Sequence, residues 1–333
     1  MLWRIIPRAV MVIALAVGFI APATAAPTLE EVQAKVNALQ DQATTAAEGA
    51  QEAQVKLNSL TRTLNGIKAK AAVQGQTLSA MQKTLGAIAI EQYKAGGLGQ
   101  SLELLFSSNP TLYLSSAGAL DSISRGKSAQ LRKYQAAQQR LQATTMTVND
   151  KLALVTAAEK KYKAQSAMAQ SKLAEAEAIL SKLTKAERER LAKLAAEQEN
   201  ADQASSVALA KKVAGFSGRG GIALKFALAQ LGDRYVFGAA GMITWDCSGL
   251  TMRAYQAAGV SLPHSAAAQA RLGKAVSMKS LQPGDLLFYG RPISHVSIYL
   301  GGGKMVHAPR SGSRVKIADL GLGSKPLVGA RRY

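Results

Sequence analysis

From Leu29 onward the apolar residues recur at positions 29, 32, 36, 39, 43, 46, 50, 53, 57, 60, 64, 67 and 71, an unbroken alternation of three and four. Leu78, Met81, Leu85 and Ile88 continue the same frame past one polar position, Gln74. A stripe with this period runs along one edge of an α-helix and is buried only by another helix, so it fixes a long coiled-coil seam. Ala43, Ala46, Ala50 and Ala53 make its centre thin: each buries little area, but together they allow close helix approach. The pattern stops near Ala95-Gly96-Gly97, and Ser107-Ser108-Asn109-Pro110 adds a second cluster of breakers. It resumes through Leu131, Leu141, Val148, Leu152, Leu173 and Leu180. The spacing predicts an antiparallel helical hairpin over residues 26–197 with its tip near 95–118. Its first arm, of about 67 residues, would reach about 100 Å at 1.5 Å per residue. The tip is rich in Leu and aromatic residues, and reads either as a small helical element packed on itself or as a patch that docks a partner.

Ahead of the seam, Arg4 and Arg8 precede a run of twelve apolar residues, Ala9 to Ile20, followed by Ala23-Thr24-Ala25. A run that short, with a small-x-small site after it, reads as a signal peptide over residues 1–25 and not as a membrane span. The net charge of +20 gives the chain an affinity for polyanions that salt weakens. Export directs that affinity to wall polymers or anionic lipid headgroups and away from nucleic acid. The expected location is secreted, in the cell wall or at the cell surface.

After the hairpin the sequence turns polar, small and then Gly-rich, which predicts a linker over 198–220. From residue 221 the texture changes to short apolar runs broken by Gly and Pro. All three histidines, His264, His295 and His307, lie in this part, as does the single cysteine, Cys247. One cysteine makes no intramolecular disulfide, so Cys247 is either inert in a core or chemical.

Asp246 and the apolar spacing of Leu250, Ala254 and Ala257 up to Gly259 predict a helix that opens at Cys247. At a first helical turn, free backbone N–H groups and the macrodipole favour a thiolate, the form a cysteine nucleophile needs. "GDLLFYG", "SHVSIYLGGG" and "KMVHAP" read as successive strands with tight turns. Paired antiparallel, they bring His295 and His307 together, which supplies a base and a group to orient it. A structural role for each histidine remains open on spacing alone.

The blocks "YVFGAAGMITWDCSGLTMRAYQAAGVSLPHSAAAQA", "LQPGDLLFYG", "SHVSIYLGGGKMVHAP" and "GARRY" resemble, in order and interval, the NlpC/P60 family of cell-wall peptidases. The resemblance covers about 217–333, with the peptidase domain placed at 221–333. It implies an α+β papain-like fold, in which a helix-borne Cys packs on an antiparallel sheet, preceded here by the coiled-coil hairpin. It implies Cys247 as nucleophile, His295 as base and His307 as third polar residue, with Tyr235, Asp246 and Ser248 shaping the substrate site. No metal or other cofactor is implied. The family usually has Arg where this chain has His264, which loses bidentate carboxylate binding and leaves His264 structural or peripheral.

Members of the family mostly cleave peptidoglycan stem peptides, commonly between D-γ-glutamyl and the diamino acid. The layout as a whole resembles secreted division-associated wall hydrolases of Gram-positive, especially actinobacterial, bacteria. In these the helical region can cover the active site or dock to a membrane-bound division complex related to ABC transporters. Two other readings compete with this one: a wall-binding scaffold, and a papain-like amidase or acyltransferase acting on another substrate.

Overall fold

The computed structural model describes residues 27–94, 110–212, 215–323 and 325–333. The predicted signal segment and residues 95–109 of the predicted tip fall outside them. The first helix, α1 (Leu29–Lys94), opens on a reciprocal cap. Thr28 N–H donates to Glu31 Oε2 at 2.8 Å, and Glu31 N–H donates back to Thr28 Oγ1 at 3.2 Å. The return helix, α2 (Pro110–Ser181), has proline at its first position, where the missing N–H removes no helical bond.

The two helices run antiparallel. Val32, Val36 and Leu39 pack with Ala176, Ala46 and Ala47 pack with Ala169, and Gln92 accepts from Lys127. The predicted seam residues Val32, Val36, Leu39, Ala43, Ala46, Ala50 and Ala53 are all buried, whereas most of those from Leu57 to Ile88 are only half-buried. Two helices alone cannot enclose a seam. The buried stretch is where further elements of the fold also meet α1.

One such element overturns the predicted linker. A helix, α3 (Lys185–Lys212), crosses the expected boundary at 197–198 and fills most of the expected linker. The hairpin ends instead at 182–184, where Thr184 and Glu187 form a second reciprocal cap. Leu191 of α3 joins the cluster of Val32, Val36 and Leu39. The small polar residues that resemble a flexible tether are what let α3 lie close on a sheet edge. Ser206 Oγ accepts from Ile317 N–H at 2.9 Å, Gln203 donates to the Val315 carbonyl, and Lys316 pairs with Asp202 at 2.6 Å.

The C-terminal domain continues through α4 (Gly218–Leu228), β1 (Arg234–Tyr235), β2 (Thr244–Trp245), α5 (Cys247–Ala257), α6 (Ala266–Gln269) and β3 (Lys274–Ala275). Strands β4 (Leu286–Tyr289), β5 (His295–Gly301), β6 (Lys304–His307), β7 (Lys316–Asp319) and β8 (Leu327–Arg332) complete it. Its main sheet is antiparallel, in the order β3-β8-β4-β5-β6-β7. The edge strand β7 is the one that α3 covers, which removes an open row of backbone groups from solvent.

Helices α4 and α5 pack on one face of the sheet through Leu224, Leu250 and Tyr255, against Leu286, Phe288, Val296 and Ile298. A smaller cluster of Leu287, Tyr289, Met305 and Ala330 fills the other face. Strand β4 is therefore apolar at every position, because both of its faces are covered. This is the expected α+β arrangement, with a helix-borne cysteine on an antiparallel sheet, preceded by long helices.

The α3 contact has a direct test. Ser206→Ala leaves the Ile317 N–H buried without its acceptor and should destabilise the C-terminal domain by about 1–3 kcal/mol. Thermal unfolding and faster hydrogen exchange at Ile317 would report it; a tether lying free of the sheet would show neither change.

Candidate active site

Helix α5 is positioned by Asp246, whose carboxylate caps it by accepting from Gly249 N–H at 2.6 Å. Residue 249 must be glycine, because a Cβ there would lie 2.3 Å from the Ala239 carbonyl oxygen. Cys247 is thus the first residue of the helix, as the sequence predicts, and is completely buried. Strand β1 pairs with β2 in the register Tyr235↔Trp245, which sets Tyr235 beside the Asp246-Cys247 step. Tyr235 lies against Thr44 of α1.

The histidines come from β5 and β6. In the register Ile298↔Val306, His307 lies diagonally across from His295 on the same face, and His295 Nε2 is 2.9 Å from His307 Nδ1. When His295 donates from Nε2 to His307 Nδ1, its own Nδ1 is left free as a base and His307 keeps an N–H on Nε2. Among the described residues, both of these outer nitrogens are buried without a partner. Burial, then the neighbouring His307 and Lys325, hold His295 well below the usual histidine value. Burial, then Lys316, Lys325 and Arg310, push His307 down to about 3. Both rings are neutral at physiological pH.

A residue that the sequence reading missed occupies the centre of the site. Glu48 of α1 is buried against Cys247. Its Oε1 accepts from Ser248 Oγ at 2.6 Å and from the Cys247 thiol at 3.1 Å, and its Oε2 accepts from Ala266 N–H at 2.9 Å. The sequence signal was Glu48 itself, the one long side chain in "ATTAAEGA" (43–50), where the seam is thinnest. On either side of it, Glu52 pairs with Arg271 at 2.9 Å and Asp41 with Arg310 at 3.5 Å.

This carboxylate reverses the expectation of a ready thiolate. Burial is the largest cause, and the charges of Glu48 and Asp246 add to it, so the Cys247 thiol is held well above its ordinary value. The Val296 backbone N–H pulls the other way but does not outweigh them. Glu48 itself is raised by burial first and by Asp246 second.

His264, expected to be peripheral, binds the capping carboxylate: its Nε2 is 2.9 Å from both oxygens of Asp246. Burial alone would lower it, but the bond to Asp246 and the charges of Asp246 and Glu48 hold it above the usual value. Gln269 locks the same corner, accepting from Thr251 Oγ1 and donating to the Ser248 carbonyl.

Residues 232–332 match the NlpC/P60 family. The C-terminal domain is an NlpC/P60 domain. It is 45% identical over 107 residues to a Mycobacterium tuberculosis protein named probable endopeptidase, covering 32% of this chain and 28% of that one. It is 38% identical over 109 residues to the gamma-D-glutamyl-L-lysine dipeptidyl-peptidase of Bacillus subtilis, covering 31% and 37%. Over 82 residues it is 41% identical to the peptidoglycan endopeptidase RipA of M. tuberculosis, covering 24% and 17%. The matched part is thus well under half the length of each of these relatives. A solved NlpC/P60 family protein from Bacillus cereus is 32% identical, covering 34% of this chain and 40% of that one, with a TM-score of 0.32.

Glu48→Ala removes both a charge and an acceptor from the thiol. Each unit by which the thiol pKa falls raises the thiolate fraction about tenfold. Alkylation of Cys247 by iodoacetamide in the full chain at pH 7.5 should therefore accelerate, read by intact mass. Equal rates in the parent and the variant would contradict the role given to Glu48.

Proposed function

We propose that this chain is an exported peptidoglycan hydrolase that cleaves stem peptides at the bond between D-γ-glutamyl and the diamino acid, and that its helical hairpin holds it latent. The observation that carries both halves is the seat of Glu48: a side chain from the hairpin sits on a helix-borne thiol beside a coupled histidine pair. The names of the relatives support the substrate, since one acts on a gamma-D-glutamyl-L-lysine bond and another on peptidoglycan. The apolar run and small-x-small site before residue 26 support export to the wall or cell surface.

With Glu48 withdrawn, the Cys247 proton passes to His295 Nδ1 and the sulfur attacks the γ-carbonyl carbon. The oxyanion takes hydrogen bonds from backbone N–H groups, that of Cys247 among them. The tetrahedral intermediate expels the amine of the diamino acid, which leaves with the proton from His295. Water, deprotonated by His295, then attacks the thioester, and the proton returns to the sulfur as the glutamyl acid departs. His307 accepts from His295 Nε2–H and keeps the base in the competent tautomer, the orienting role in a catalytic triad. Tyr235, Asp246 and Ser248 line the acyl side. Glu48 occupies the place where the substrate must lie, so the hairpin and the substrate exclude each other.

The proposed release is mechanical. A membrane-bound division complex related to ABC transporters would engage the far end of the hairpin and draw α1 off the site. The length of the arm and the apolar sequence of the tip support this partner.

The test is mass spectrometry of L-Ala-γ-D-Glu-L-Lys incubated with the full chain and its variants. The parent should cleave slowly after the glutamyl residue, Glu48→Ala at least about tenfold faster, and Cys247→Ala in either background not at all. Equal turnover by the parent and Glu48→Ala would remove the latch. Cleavage that survives Cys247→Ala would remove the mechanism.

A further inference from the structure

A second carboxylate of α1 marks a subsite that the reading above does not use. On the histidine side of the thiol lies a cavity of about 170 Å³. It is lined by His295, His307, Arg310 and Lys325, with Asp41 of α1 across from them. One water needs only about 10–15 Å³, so the space admits part of a substrate. Its wall is cationic, and among the described residues the only acidic side chain on it, Asp41, comes from the hairpin and pairs with Arg310. His307 contributes a buried ring whose Nε2 has no partner among the described residues. In the tautomer that lets His307 accept from His295, that nitrogen is a donor. Two cations and a free N–H make a site for a carboxylate.

The cavity shares His295, the group that protonates the leaving amine, so it belongs to the departing half of the substrate. Glu48 lies at the other end, on Ser248 and Ala266. Asp41 and Glu48 are seven residues apart on one helix, which places their Cα atoms about 10 Å apart along the axis. In an extended γ-glutamyl-diamino acid the two α-carboxylates are separated by seven bonds, about 9 Å. The spacing of Asp41 and Glu48 along α1 is thus close to the interval at which such a substrate would carry its own two carboxylates.

Resting on the γ-glutamyl peptidase reading, we propose that Arg310 and Lys325, with His307 Nε2–H, form a subsite for the free α-carboxylate of the leaving residue, and that Asp41 fills it in the latched chain. The enzyme then prefers stems that end at the diamino acid over stems that continue beyond it, where that carboxyl is an amide.

The reference protein for the test is the full-length chain carrying Asp41→Ala and Glu48→Ala, so that α1 places no carboxylate in either position. Its substrates are L-Ala-γ-D-Glu-L-Lys and L-Ala-γ-D-Glu-meso-diaminopimelate, each as the free α-acid and as the α-amide. The expected result is kcat/KM about tenfold or more higher for each acid than for its amide, mainly through KM, whichever side chain is present. Arg310→Gln and Lys325→Gln, each added to the reference, should bring the acid-to-amide ratio towards one. A general folding defect would lower both rates and leave the ratio standing, and an unchanged ratio overturns the assignment. A preference that follows the side-chain carboxylate of diaminopimelate, with acid and amide equal, also overturns it and leaves the peptidase reading intact. Failure to cleave any of the four peptides would overturn the peptidase reading and the subsite with it.

Discussion

The contact on which the rest of the structure turns is a carboxylate of one helix buried against the thiol of another domain. Glu48 receives three donors, a thiol and a hydroxyl from the first turn of α5 and a backbone N–H from the start of α6. On the proposed reading those donors are the groups a substrate would meet, so the protein satisfies its own cleft. The flanking pairs, Glu52–Arg271 and Asp41–Arg310, are partly exposed, and exposed pairs contribute only about 0.2–1 kcal/mol each. They set the register of α1 across the cleft more than they hold it there. Apart from the cleft, α1 packs in the apolar junction of Val32, Val36 and Leu39 with Ala176 and Leu191, while α3 bonds to β7.

Much of this was legible in the sequence, and for identifiable reasons. The hairpin could be read because its seam is a periodic signal that local residues carry by themselves. The helix start at Cys247 and the pairing of the histidine strands could be read because capping and turn chemistry are local too. The linker was misread because Ser, Ala, Gln and Asp have the composition of a tether. Only the presence of β7 turns Ser206 and Gln203 into docking groups. Glu48 was missed for a related reason. Its partner lies 199 residues away in the chain, and nothing in a heptad says which residue beside the seam faces a cleft. The expected thiolate failed on the same contact: position at a helix start favours ionisation, but burial under α1 and the nearby carboxylates outweigh the helix.

The alanine-thin stretch of the seam has a consequence for both halves of the molecule. Between helices, Ala43, Ala46, Ala50 and Ala53 bury little area, and large apolar residues would pack more tightly. Ala43, however, also lies beside Tyr235 and Phe237 of the C-terminal domain, where a large residue would hold the helix surface away. Small ones bring the α1 backbone close enough for one glutamate to reach the bottom of the site. Stability of the hairpin is reduced where access to the cleft is needed, and it is recovered at Val32, Val36 and Leu39, where a third helix encloses the seam.

A buried carboxylate is also suited to a contact that must open. Burial disfavours its charge, and Asp246 adds repulsion, so the seated Glu48 has a pKa above its ordinary value. A group raised in this way favours the seated state most fully below its free value, and that contribution is lost as pH rises through the seated value. Above that seated value the three hydrogen bonds work against the desolvation of the group they hold. Removing one partner of a buried charge is costly, but replacing the whole contact with another carboxylate ligand is not, because the donors stay satisfied. On the proposed reading this is why a peptide carrying its own carboxylate can compete for the cleft. Once α1 is drawn aside, nothing in the site has to be rebuilt: Ser248, Ala266 and the histidine pair stay where helix and sheet hold them, and only the occupant changes.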